Sequence, residues 1–171
     1  MISMKGLAVL HTEDNYLDET GRECFNSKLF EKIGVEIGRR IETGDSVYYL
    51  PGGCNIYPSV NKFAPQMRVI SDYRGSSGWA ERQFLKTKEI VMSDNLEEIA
   101  IAGVAYDCCV RDLHLLFRGL EGAEISMREY RNAAKKLEWT PEKFDQVFGA
   151  KLNVRVIEEL TDKELFDALN P

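Results

Sequence analysis

Two adjacent cysteines, Cys108 and Cys109, stand where an apolar run ends and an amphipathic segment begins, in the stretch from Glu98 to Arg111, EIAIAGVAYDCCVR. The run reads as a buried strand, and Val110, Leu113, Leu116 and Phe117 read as the apolar stripe of a helix that follows it. Cys109 then falls at or next to a helix N-terminus, where backbone N–H groups without helical partners and the positive end of the dipole favour a thiolate. The same N–H groups are suited to hold a developing oxyanion. This is the chemistry of a nucleophilic cysteine, with a thiol expected below its ordinary pKa. The spacing fits equally two small residues buried at a tight junction, a common place for unpaired cysteines. His11 closes an earlier apolar run.

The elements that must position these residues follow from periodicity. Six short apolar runs predict six buried strands: Leu7 to Leu10, Val47 to Leu50, Met67 to Ile70, Ile99 to Ala102, Ile125 to Met127 and Val154 to Ile157. Leu29, Phe30, Ile33, Ile37 and Ile41 form the stripe of a helix that stops at Gly44. Further helices are predicted at roughly 79–93, at 109–119, at 141–148 after Thr140-Pro141, and at 162–169 with Thr161 as cap. Alternating strands and helices specify an α/β class: a three-layer doubly wound domain spanning residues 1–171, with a six-stranded parallel sheet and helices on both faces. Two connections, 51–66 and 71–79, are long and leave the carboxyl ends of strands, where open α/β sheets place their ligand crevice.

Composition narrows the partners. In 171 residues, 22 Lys and Arg face 28 Asp and Glu, a net charge of −6 that argues against wrapping nucleic acid or lying on an anionic membrane. The basic residues are scattered, and the short run Arg128, Arg131, Lys135 and Lys136 reads as a solvated face. The first ten residues hold an apolar run shorter than a secretory h-region or a membrane span, so neither is expected. Four cysteines without framework or C-x-x-C spacing suit a reducing, cytoplasmic setting. Pro51-Gly52-Gly53 lacks phosphate-loop spacing and reads as a turn.

The segment GVAYDCCV resembles the GVATDYCV signature of the isochorismatase-like cysteine hydrolases, the superfamily that includes the nicotinamidases, and the order of elements along most of the chain is similar to theirs. The resemblance implies Cys109 as nucleophile, a cis peptide at Val104-Ala105, and an oxyanion hole made by the N–H groups of Ala105 and Cys109. It also implies a small-molecule substrate or ligand and assembly into homodimers or homotetramers. Aromatic residues crowding the two long loops suit either a wall for a planar ligand, with Trp79, Tyr106 and Tyr57 as the expected substrate contacts, or a dimer interface.

Departures from the family pattern are as informative. Aligning LAVLHTEDNYLD with the family's VIDMQNDF type of strand puts His11 where an aspartate general base belongs, with the acids Glu13 and Asp14 just beyond it. In the loop that should carry the family's lysine, Tyr73 takes its position and Arg74 is the nearest cation. The Asp-x-His-x-x-His cluster of nicotinamidases has no counterpart in the loop after the second strand, and with only His11 and His114 in the chain no metal site and no cofactor is expected. His114 reads as a residue of a helix face.

Two readings stay open from these residues. One is a cysteine-dependent hydrolase of a small amide or related C–N bond, with Cys109, His11 and Tyr73 or Arg74 as its machinery. The other is a catalytically degenerate relative that binds a small molecule or a partner without hydrolysis. A purely structural oligomer subunit is a third class.

Overall fold

The computed structural model describes residues 4–13, 23–53, 55–72, 76–119 and 126–171. Five parallel strands, β1 (Lys5–Leu10), β2 (Ser46–Leu50), β3 (Arg68–Val69), β4 (Glu98–Gly103) and β5 (Arg155–Thr161), form a sheet in the order β3-β2-β1-β4-β5. Helices α1 (Glu23–Glu42), the one-turn α2 (Pro58–Asn61), α3 (Trp79–Ser93), α4 (Arg111–Phe117), α5 (Met127–Lys136), α6 (Pro141–Phe148) and α7 (Lys163–Leu169) connect them. No helix among the described residues is long and apolar enough to cross a membrane.

The two-residue period of the strands builds two core layers. Leu7 and Val9 of β1, Val47 and Tyr49 of β2, and Ala100 and Ala102 of β4 pack with Phe30, Ile33 and Ile37 of α1. The intervening residues Ala8, Leu10, Tyr48, Leu50, Ile99 and Ile101 pack with Phe84 and Leu85 of α3, Leu113 of α4, Tyr130 of α5 and Phe144 of α6. The chain adds β2 and β3 on one side of β1, then returns across the other face through α3 to lay β4 on the opposite side. The strand order therefore reverses between β1 and β4, and the crevice at such a reversal is where open α/β sheets bind ligands.

The sixth strand expected at Ile125 to Met127 is a correction. Ser126 is the N-cap of α5 and Met127 its first residue; Ile125 lies outside the described residues. Ser126 Oγ accepts from the Glu129 N–H (3.3 Å), so the spacing Ser126-x-x-Glu129 is a helix-start signal that a three-residue apolar reading overrode. The basic run assigned to a solvated surface lies on this helix, and Lys136 reaches across to donate to the Ser77 carbonyl (2.8 Å).

At the reversal the backbones close on each other. The His11 N–H donates to Leu50 O of β2 (3.0 Å), and the Val104 N–H donates to Leu10 O (3.2 Å), so the end of β1 is held from both sides. Gly103 has φ 111°, and a Cβ there would lie 2.0 Å from Leu10 O. Only glycine fits, in conformation and in space. Gly103→Ala should therefore destabilise the chain by about 3 kcal/mol or more, by backbone strain and overpacking together. A urea midpoint unchanged from wild type would contradict this close approach.

Candidate active site

His11 is fully buried at the end of β1, with φ 57°. That left-handed turn interrupts the strand's alternation, so that Leu10 and His11 both meet the α3 side of the sheet. The imidazole stacks on Phe84 at 6.5 Å between centroids and tilts against the Trp79 indole at 5.6 Å. Trp79 and Gln83 are one turn apart on α3, and both reach the histidine.

Gln83 ties three strand ends together. Its Nε2 donates to Pro51 O (2.8 Å) after β2 and to Ile70 O (2.9 Å) after β3, while Oε1 lies 3.4 Å from His11 Nε2. With both amide hydrogens committed to carbonyls, Oε1 can only accept. The contact thus places the ring proton on Nε2 and leaves the lone pair of a neutral imidazole on Nδ1. Gln83 was not singled out by sequence; its spacing of four from Trp79, on the apolar side of the helix, was the available signal.

A buried acid, Glu13, follows the histidine two residues along the chain. Glu13 Oε1 accepts from the Gly52 N–H (2.7 Å) and from the Tyr49 hydroxyl (2.9 Å), and that hydroxyl in turn lies 2.9 Å from Thr12 Oγ1. Glu13 Oε2 is buried and makes no hydrogen bond among the described residues. Burial pushes this carboxyl from the ordinary 4.5 up to about 7, against the opposing pull of the Gly52 and Tyr49 hydrogen bonds.

Across the reversal, β4 ends at Gly103, the Val104-Ala105 peptide is cis, and a π turn spans Tyr106–Val110 before α4. Asp162, buried at the N-cap of α7, accepts from the Tyr106 N–H (2.7 Å) and so anchors the start of this turn. Cys109 is half-buried against the α3 side of the core. His11 and Cys109 thus both meet the same core layer from neighbouring strand ends.

The thiols depart from the expectation of a low Cys109. A hydrogen bond between the two sulfurs, together with burial, pushes the Cys109 thiol up, while the same bond lowers exposed Cys108 to about 7. A sulfur partner at the next position is not legible in sequence, because successive side chains on a regular helix diverge.

Of the expected substrate contacts, Trp79 meets His11. Tyr106 turns to α7, its ring 5.6 Å from Phe166 and 5.5 Å from the Lys163 ammonium. Tyr57 packs edge-on against Phe30 of α1 (5.6 Å). Tyr73 and Arg74 lie outside the described residues, as does Asp14. The flanks of their loop are held by α3: Arg82 donates from Nε (2.9 Å) and Nη2 (2.6 Å) to Asp72 Oδ1, and from Nη1 to Ser77 O (2.7 Å). Burial opposes ionisation of Asp72, but hydrogen bonds from Arg82 and Lys86 outweigh it and hold the carboxyl below its usual value. His114, remote from this cluster, pairs through Nδ1 with Glu158 (2.8 Å). Among the described residues no three His, Cys, Asp or Glu side chains converge.

The sequence matches no protein-family model and no curated protein. By structure, a nicotinamidase from Staphylococcus aureus superposes with a TM-score of 0.52 over 91% of this chain and 99% of its own, at 14% identity. An isochorismatase family protein does so with a TM-score of 0.53 over 91% and 97%, at 11% identity. The fold is isochorismatase-like.

Within this fold the titrating group with the clearest consequence for stability is Glu13. Its folded pKa lies above the ordinary value, so the folded state binds the extra proton. The stability this contributes is fully present below pH 4.5 and is lost as pH rises through about 7. Relative to Glu13→Gln, wild type should lose roughly 3 kcal/mol between those limits. Parallel urea titrations of the two proteins across that range check it, and two parallel stability curves would contradict it.

Proposed function

We propose that the chain is a thiol-dependent hydrolase of a small amide or related C–N bond. The observation that carries this reading is the closure of β4 on β1 at the strand reversal, with Cys109 in the turn after β4 and His11 at the end of β1 meeting the same core layer.

In this mechanism Cys109 Sγ attacks the carbonyl carbon, and the N–H groups of Ala105 and Cys109 hold the oxyanion. His11 takes the thiol proton on Nδ1, the ring nitrogen left with a lone pair by the Gln83 contact, and delivers it to the leaving amine. Water then cleaves the thioester. Trp79, which borders His11, forms a wall for a flat substrate. Tyr73 or Arg74 stands in for the family's lysine, and Arg74 would orient a carboxylate or neutralise charge without shuttling protons.

A second reading, a binding protein on the same scaffold, is favoured by one observation: the Cys109 thiol is held up by burial and by donation to Cys108. Ammonia release from a panel of small primary amides, with intact-mass detection of an acyl-enzyme, separates the two. The hydrolase reading expects turnover that falls by at least about 10³-fold in Cys109→Ala and by about 10²-fold or more in His11→Gln. Amides that bind wild type and Cys109→Ala equally, with neither ammonia nor adduct, would establish the binding reading instead.

A further inference from the structure

The peptide group that joins Pro51 to Gly52, just past β2, is gripped at both of its polar ends by buried side chains. Its carbonyl accepts from Gln83 Nε2 (2.8 Å), and its N–H donates to Glu13 Oε1 (2.7 Å). Gln83 Oε1 in turn lies 3.4 Å from His11 Nε2. These contacts make one chain in which every donor points the same way, from imidazole to amide to peptide to carboxyl. His11, Gln83 and Glu13 are all fully buried, so water does not screen it. Glu13 is also fixed by its backbone, which pairs antiparallel with Ile56, while the Thr12 carbonyl accepts from the Tyr57 N–H (2.8 Å).

The common direction of donation has an electrostatic consequence. A negative charge on Glu13 polarises the Gly52 N–H and so makes the Pro51 carbonyl a stronger acceptor. That carbonyl polarises the Gln83 amide, whose Oε1 becomes more negative. An imidazole that donates to a more negative acceptor is a stronger base at its other nitrogen. Among the described residues, the titratable side chain bonded to Glu13 is Tyr49 of β2, whose hydroxyl donates to the same Oε1 (2.9 Å) and which burial keeps protonated. Helix α3 faces His11 with Trp79, Gln83 and Phe84, none of which titrates, and the turn after β4 brings Cys109 to the same core layer. Burial carries Glu13 up to about 7, so its charge changes in the range where an ordinary histidine titrates.

We propose that Glu13 is a positioning residue for His11 that acts through the Pro51-Gly52 peptide and Gln83: as a carboxylate it makes the imidazole a stronger base, and as a neutral acid it does not. Its bearing on hydrolysis rests on the reading of His11 as the base that takes the Cys109 proton; the coupling itself does not. The coupling is reciprocal, so a proton on His11 makes Glu13 easier to ionise. The added basicity of His11 is present above the Glu13 titration and is lost as pH falls through about 7.

The test is an NMR titration of the full chain with isotope-labelled histidine rings and glutamate carboxyls. The chain has two histidines, and His114, paired with Glu158 away from this cluster, is the internal control. In wild type the His11 signals should show a step at the pH where the Glu13 carboxyl titrates. Glu13→Gln keeps an oxygen to accept from Gly52 and Tyr49, so a merely structural role would survive in it. In that variant the step should vanish and the His11 midpoint should fall by on the order of half a pH unit, about threefold in basicity, with His114 unmoved. In Gln83→Met, which breaks the chain but keeps the charge, the step should shrink to roughly half or less. His11 signals that pass unchanged through the Glu13 titration, a wild-type curve in Glu13→Gln, or a full step in Gln83→Met would overturn the proposal. The first of these is read in wild type and requires no variant to fold. None of the readouts needs turnover, so amide hydrolysis without the coupling overturns only this inference, and the coupling without hydrolysis overturns only the proposed function.

Discussion

The closure of backbone on backbone between the ends of β1 and β4 is the constraint on which the site depends. Gly103 can approach Leu10 only because it has no side chain, and the approach lets the Val104 N–H reach Leu10 O. The chain then leaves β4 through the cis Val104-Ala105 peptide into a turn whose first N–H is held by Asp162. On the other strand, the same closure coincides with the left-handed turn at His11, which carries the imidazole to the side of the sheet that Cys109 also meets. A backbone in this conformation costs of order 1 kcal/mol or more and persists only where its surroundings over-determine it. Here two flanking strands and an aromatic stack supply that determination.

Around this closure the chain buries polar groups that apolar residues could not replace at no cost. Gln83 uses both amide hydrogens on strand-end carbonyls, so removing it would leave two carbonyls in the core without their donor. Arg82 and Asp72 pair where both are largely shielded from water, which gives the loop after β3 fixed flanks. Glu13 is different in kind. Its two donors do not compensate for its burial, and the carboxyl stays poised near neutrality instead of ionising. Perturbed acids of this kind concentrate at functional sites more than elsewhere. At the end of β1 such an acid stands two residues beyond His11.

The sulfur pair shows how a local helical irregularity changes chemistry. A helix N-terminus lowers a thiol pKa through the dipole, and from that alone Cys109 would be the more acidic of the two. Here the neighbouring thiol and burial act on the pair as well. The outer thiol is lowered and the inner one raised.

Much of this molecule was legible before any coordinates, because its elements follow from local rules. The alternation of short apolar runs with amphipathic segments specified the parallel sheet and two layers of helices; Trp79 to Ser93 and Pro141 to Phe148 coincide with their predicted spans. The junction of β4 with a helix at Cys109 and the strand end at His11 were likewise readable, since each depends on a few neighbouring residues. What sequence could not decide was everything that depends on which segments meet. Ile125 to Met127 looked like a strand until Ser126 and Glu129 joined as a cap, and the contacts of Tyr106 with Phe166 and Lys163 appeared only once α7 was in place. Glu13 became a neutral-range acid only once Tyr49 and the Gly52 turn enclosed it. Periodicity records which face of an element is apolar; desolvation, side-chain direction past a left-handed turn, and contact between sulfurs are properties of the packed chain, and only the tertiary structure sets them.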